Sequence, residues 1–306
     1  MDPLARSYYE LKFRHEYTVA EGDAFQDLFV KLMSRAHPGD FTNVQPWGRD
    51  GDRKCDGYLA STRTVFACFG PKSFVPISRA LTKVKSDHAG ALKHWKPYMN
   101  EWTLVHNDHR GLPPRMLELL LRLKAADSAV SVSNWDLEPL IAKVRGLAEA
   151  DLVSLLGAAP SAAQVRALRH DDLKPVVQAL AGVLAVGGSA ADFRPVPPMK
   201  IEFNRLSAAS RDLILVGLQA ADRVRKFFDL WEPGAGDRIA LAFRTRYQEL
   251  RSNADQTSDG ILWSLYEFAG QGELTSTRQQ AAVFALVAFL FESCEIFERP
   301  PLGASA

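Results

Sequence analysis

Apolar positions change their spacing repeatedly along the chain, and each change predicts a change of element. Residues 1–18 carry Tyr8, Tyr9, Leu11 and Phe13, a β-favouring group expected as an edge strand or a loose arm. Over residues 24–36, Phe25, Leu28, Phe29 and Leu32 recur at helical spacing, so one face of a helix is apolar. Asp23 is its expected N-cap, and His37, Pro38 and Gly39 its stop. Residues 40–45 then read as a strand. Two more short apolar runs, 58–59 and 65–69, flank a turn at Ser61, Thr62 and Arg63, as in a hairpin. A helix over 78–98 places Leu81, Val84, His88, Leu92 and Trp95 on one stripe. A strand at 101–107 leads into a polar loop at 108–111. Pro113 opens the next helix, to residue 126, because proline lacks an N–H that the first turn would leave unbonded. A strand at 129–133, a helix at 136–147 and a short turn at 152–156 follow. This order predicts one mixed α/β sheet with helices on its faces.

The second half reads differently. Gly157 to Pro160 marks a break, residues 161–184 are helical and alanine-rich, and Gly187, Gly188, Pro195, Pro197 and Pro198 form a linker. From residue 200 every periodic stretch is helical: 201–206, 210–218, 219–231, 237–252, 260–269 and 277–297. Ser276 and Thr277 suit a helix start and Pro300 with Pro301 a stop. The last helix is apolar nearly all round, so it is expected at the centre of a bundle or against a partner. The turns at Ser258–Gly260 and Gly270–Gly272 lack the lysine–serine pair of a phosphate loop. The domain expectation is a sheet domain at 1–157, a helical linker region at 158–199 and an all-helical interaction domain at 200–306.

Composition narrows the function classes. A net charge of +1 over 306 residues gives no global footprint for nucleic acid. Residues 53–124 depart from that average, with 13 Lys and Arg against 5 Asp and Glu. Those charges are either a face that tracks phosphates or the solvated sides of two helices. Cys55, Cys68 and Cys294 are odd in number and lack metal-site spacing, which fits free thiols in a reducing cytoplasm. No basic segment followed by an apolar run opens the chain, so no signal peptide is expected. The most apolar helix falls short of the ~20 residues that span a bilayer, and no membrane association is expected.

The chemistry concentrates at residues 48–59, where Asp50, Asp52 and Asp56 sit among Gly48, Gly51 and Gly57. Clustered carboxylates are the donors that a hard divalent cation prefers. With a helix before the hairpin and a helix and strand after it, this stretch resembles the restriction-endonuclease core, the PD-(D/E)XK fold. The resemblance implies that Asp56 holds a metal, with Asp52 as a second ligand and Mg²⁺ as the ion. The family's acid-x-lysine triplet falls on Ala67, Cys68 and Phe69, so the second carboxylate and the lysine are absent, and Gln26 stands where the preceding helix often carries glutamate. A displaced cation, Lys72 or Lys54, would have to serve near the phosphate. Lys54, Arg53, Lys83 and Lys93 are the candidate nucleic-acid contacts, and Asp56, Asp52 and Lys72 the candidate catalytic set. The polar loop of His106, Asn107, Asp108, His109 and Arg110 ranks second as a site, at the carboxyl end of a strand.

A second resemblance lies at the far end. Phe243–Tyr247 and residues 285–300 look like the effector proteins of bacterial ABC three-component conflict systems, which pair a variable N-terminal domain with a helical C-terminal one. It implies a middle component and an ABC-type ATPase as partners through the C-terminal domain; self-association stays open. Two functions follow. In one, the nuclease-like domain is non-catalytic or weakly catalytic and binds DNA, RNA or a partner protein. In the other, it is an active Mg²⁺-dependent endonuclease of an antiphage system. A cysteine hydrolase has less support, since no histidine is tied by sequence to Cys55, and the recurrence of Glu292, Glu295 and Glu298 is read as a solvated helix stripe.

Overall fold

A computed structural model describes residues 1–46, 51–71, 75–181, 199–232, 234–253, 256–271, 276–293 and 296–300. The chain forms two compact units, one of residues 13–155 and one of residues 1–12 with 156–306. Asp50 and Lys72, named above as candidate site residues, lie outside the described residues, as do Cys294 and Glu295.

The first unit is built on a five-stranded sheet in the order β1 (Phe41–Asn43), β2 (Gly57–Leu59), β3 (Thr64–Phe69), β4 (Glu101–His106) and β5 (Ser131–Trp135). The first three strands pair antiparallel and the last three parallel, so the sheet is mixed as expected. The hairpin turn forms at residues 60–63, where the Asp40 carboxylate accepts the Ser61 N–H at 2.7 Å and its hydroxyl at 2.6 Å. Parallel strands need a crossover, which α3 (Ile77–Trp95) supplies between β3 and β4, and α4 (Pro114–Ala126) between β4 and β5. Side chains alternate across β3: Val65 and Ala67 join the core with Val84 of α3, Trp102 and Leu104 of β4, and Met116 of α4. Phe66 meets Phe29 at 5.2 Å and Trp135 at 5.1 Å between ring centroids. Phe29 belongs to α2 (Asp23–Ala36), which buries Phe25, Phe29, Leu32 and Met33. Gly22, not Asp23, occupies the N-cap of α2, and no side chain caps that end. The helices α5 (Leu137–Gly146) and α6 (Glu149–Leu156) follow β5, with Asp136 capping α5 by accepting the Glu138 N–H at 3.2 Å.

The expected N-terminal edge strand is instead a helix, α1 (Pro3–Val19). Its aromatic residues suit a strand by type, but Leu4, Tyr8 and Leu11 fall at helical spacing and all three are buried. Residues 1–12 are fastened into the second unit. Asp2 accepts the Ala162 N–H at 2.9 Å, Ser7 donates to Asp212 at 2.9 Å, and Tyr8 packs on Trp263 and Phe284.

That second unit is helical: α7 (Ala162–Arg166), α8 (His170–Ala181), α9 (Lys200–Phe203), α10 (Ala208–Leu218), α11 (Ala221–Leu230), α12 (Ala235–Ser252), α13 (Ser258–Gly270) and α14 (Thr277–Glu292). Ser276 caps α14 by accepting the Gln279 N–H, as its sequence predicts. Residues 281–291 of α14 are all buried, so every face of that helix is covered; α7, α8, α10, α11 and α13 surround it. The closest approach is at Gly217 of α10, where a β-carbon would stand 2.6 Å from the Phe284 carbonyl oxygen and 2.6 Å from Ala288 Cβ. Lys200, fully buried, donates to the carbonyls of Phe291 and Ile296, each at 2.7 Å, and so satisfies the end of α14.

Candidate functional site

The acidic stretch folds into a tight, left-handed corner before β2. Gly51, Arg53 and Lys54 have φ of 61°, 51° and 64°. Two adjacent non-glycine residues in that region store strain that the surroundings must hold. Three contacts hold it. Asp52 accepts the Lys54 N–H at 2.8 Å, the Trp95 indole donates to the Arg53 carbonyl at 3.1 Å, and the Lys54 stem crosses α3 at Gly90. A β-carbon at Gly90 would come within 2.5 Å of Lys54 Cγ, so the helix is notched where that stem passes. Trp95 also stacks on Tyr58 of β2, with the rings 23° from parallel.

That corner aims charge at α3. Asp87, one turn beyond Lys83 on the helix, is buried and receives both Lys83 at 2.5 Å and Lys54 at 3.1 Å. The lysines remain about half exposed, with side-chain exposures of 49% and 44%, so their ammonium groups bridge a buried carboxylate and solvent. The Lys54 ammonium is held above its ordinary pKa, first by its bond to Asp87 and then by that charge. Asp56 stands beside this network. Its Oδ2 accepts the Cys68 N–H of β3 at 2.6 Å, and its own N–H bonds the Phe66 carbonyl. Burial pushes its carboxyl up to about 6; the Cys68 N–H and Lys83 pull it back, while Asp52 and Asp87 add to the rise.

The sequence candidates therefore divide. Asp52, Lys54, Asp56 and Lys83 come together, and Arg53 and Lys93 are exposed on the same two segments. Asp87 is the member that sequence reasoning missed. Its signal was present: a lone acid in a basic helix, one turn after Lys83 and beside the buried position of His88. The triplet position on β3 supplies no ligand, because Ala67 and Cys68 are buried and Cys68 contributes only its backbone N–H. Among the described residues no three His, Cys, Asp or Glu side chains are grouped so as to hold a metal ion.

The remaining candidates take structural places. Cys55 is fully buried and its thiol is pushed up to about 12, chiefly by burial. Burial likewise holds the Cys68 thiol well above its ordinary pKa, so neither thiol is poised as a nucleophile. His88 lies edge-on to Trp102 and burial lowers its pKa, but its Nε2 makes no hydrogen bond. In the loop after β4, Asn107 donates to the carbonyls of Tyr17 and Ala20 and anchors the end of α1. His106 is buried with both ring nitrogens unbonded, and burial holds it below its ordinary pKa. Glu292 pairs with Arg225 and Glu298 with Arg251.

The fold and this corner define a two-part protein: a mixed α/β unit carrying a charged hairpin mouth, and a helical unit wound around one apolar helix. Residues 171–298, in the second unit, match the family model for C-terminal domain 10 of the ABC-three component (ABC-3C) systems. That match supports a place for the chain among the components of such systems, and the two stretches that resembled them lie largely inside it. No curated protein and no solved structure matches significantly. Among the described residues no helix is long and apolar enough to cross a membrane.

Proposed function

We propose that the chain acts within an ABC-3C conflict system as a nucleic-acid-binding component. Its sheet unit is a restriction-endonuclease-like frame that binds phosphates instead of cutting them. The observation that carries this reading is the destination of the charges. Asp52 and Asp56 each accept a backbone N–H, and the two nearby ammonium groups converge on Asp87 with their outer sides in solvent. Such a donor set suits a phosphate backbone better than Mg²⁺, which needs several free oxygen ligands. The strand order and pairing, antiparallel then parallel with a crossover helix, support the frame. The helical unit is the part that meets the middle component and the ATPase of the same system. Cytoplasmic residence and an antiviral role follow from that setting.

The test is fluorescence anisotropy of labelled DNA and RNA over a salt series. Binding is expected to weaken steeply with salt, and an Arg53→Ala, Lys93→Ala variant to lower the slope by about one to two, since each lost phosphate contact removes ~0.9. Lys54 and Lys83, which hold Asp87, stay in place in this variant. An absence of binding at low salt would sink the reading.

A second reading rests on one feature: α3 brings a carboxylate and a lysine, Asp87 and Lys83, to Asp56, whose carboxyl sits near 6. In that reading Asp87 and Lys83 take the place of the missing triplet in a metal-dependent endonuclease, with Asp56 and Asp52 as the expected Mg²⁺ ligands. Bound Mg²⁺ would supply Lewis-acid stabilisation of phosphate charge.

A further inference from the structure

The helical unit contains a cavity of about 640 Å³ beside the segment that follows α14. That volume falls within the range of small-molecule sites. Among the described residues that line it, Arg205, Arg251 and Arg299 face one carboxylate, Glu298. Arg251 donates to Glu298, whereas the Arg205 guanidinium has no hydrogen-bond or ion-pair partner among the described residues. Phe203 also lines the cavity, and 47% of it is exposed, an unusual state for a phenylalanine on a polar rim. The amides of Asn253 and Gln256 complete the polar part of the wall.

Backbone strain gathers at the same place. Arg205 and Phe297, with φ of 54° and 62°, are two of the six non-glycine residues in the left-handed region among the described residues, and both line this cavity. A bulky residue such as phenylalanine rarely accepts that conformation, and strain of this kind persists only where its surroundings enforce it. Here they do. Buried Lys200 holds the Ile296 carbonyl, while Asn204 donates to the Glu298 carbonyl at 2.8 Å and accepts the Glu298 N–H at 2.9 Å. The wall of the cavity is thus clamped on both sides of Phe297.

We infer that this cavity binds a nucleoside phosphate, with Arg205 and Arg299 taking the phosphate, Phe203 offering a ring face to the base, and Asn253 and Gln256 meeting its polar edge. Guanidinium groups suit phosphate because their fork geometry matches two oxygens at once. An aromatic face accepts any base, and amides pair with base edges. A purely acidic peptide would satisfy the cations but leave Phe203 uncovered.

The experiment is titration calorimetry of the full chain with AMP, ADP and inorganic phosphate. Both nucleotides are expected to bind, and Arg205→Ala to weaken them roughly tenfold or more, as loss of a charge-assisted contact does. Phe203→Ala is expected to weaken the nucleotides and leave inorganic phosphate unchanged. Arg205→Gly keeps the left-handed backbone without its strain, so it should raise the thermal midpoint while losing binding, a combination that a merely structural arginine would not give. No binding of either nucleotide by the parent chain, or binding untouched by Arg205→Ala, would overturn the inference. So would an acidic peptide that binds where the nucleotides do not.

Discussion

Replacing Lys54 and Lys83 together by alanine is expected to destabilise the protein by about 2–3 kcal/mol, because it strands a buried carboxylate. Asp87 is buried on α3, and among the described residues its cationic partners are these two lysines. Breaking a fully buried pair costs about 3–5 kcal/mol; the lysine ends are half in solvent here, and water takes over part of their role, so the loss falls to the lower end of that range or just below it. The same geometry predicts a rescue. Asp87→Asn in the double-alanine background removes the stranded charge and should restore most of the loss. Urea denaturation of the parent, the double variant and the triple variant measures both effects. A double variant as stable as the parent would show that Asp87 does not depend on the pair.

Asp56→Asn is expected to stabilise the protein at neutral pH and to do nothing at low pH. Burial raises the Asp56 carboxyl from 3.8 to about 6, so the folded state holds its proton over a range where the unfolded chain has released it. Stability from this group is therefore greatest below about pH 4 and falls as the pH rises through about 6. A shift of about two units corresponds to roughly 3 kcal/mol at full burial, and Asp56 is only half-buried, so about 1–2 kcal/mol is the expected gain at about pH 7.5. Asparagine still offers an oxygen to the Cys68 N–H. Denaturation midpoints of parent and variant should diverge as the pH rises and converge near pH 4. An aspartate held mainly by ion pairs would show the opposite trend.

Much of the sheet unit was legible because its signals were local. A short β-favouring apolar run marked β3, the turn residues Ser61, Thr62 and Arg63 set the hairpin, the 3.6-residue period marked α2 and α3, and Pro113 marked the start of α4. The N-terminal helix was not legible. Tyr8, Tyr9 and Phe13 carry strand propensity, and what overrides it at Tyr8 is packing on the distant residues Trp263 and Phe284. The site was half legible. Asp52 and Asp56 advertise themselves in a glycine-rich run, but the strain falls on Arg53 and Lys54 as well as on Gly51, and neither residue type announces φ above zero. Asp87 was hidden by its neighbours. On a basic helix an acid at i+4 from a lysine looks like a surface pair, and only the crossing of the Lys54 stem at Gly90 reveals a buried junction. The strain around Arg205 and Phe297 had no sequence signal either, since it is imposed by Lys200 and Asn204 from α9 and its end.

Under the proposed function the hairpin mouth binds phosphate without breaking it. The most direct test is Mg²⁺- or Mn²⁺-dependent cleavage of plasmid DNA and RNA by the purified chain, alone and with the partners of its system, beside an Asp56→Ala control. Parent and control are expected to leave the substrates equally intact while the parent still binds them. Cleavage by the parent that disappears in the control would contradict it, and would make Asp56 a metal ligand of a working nuclease.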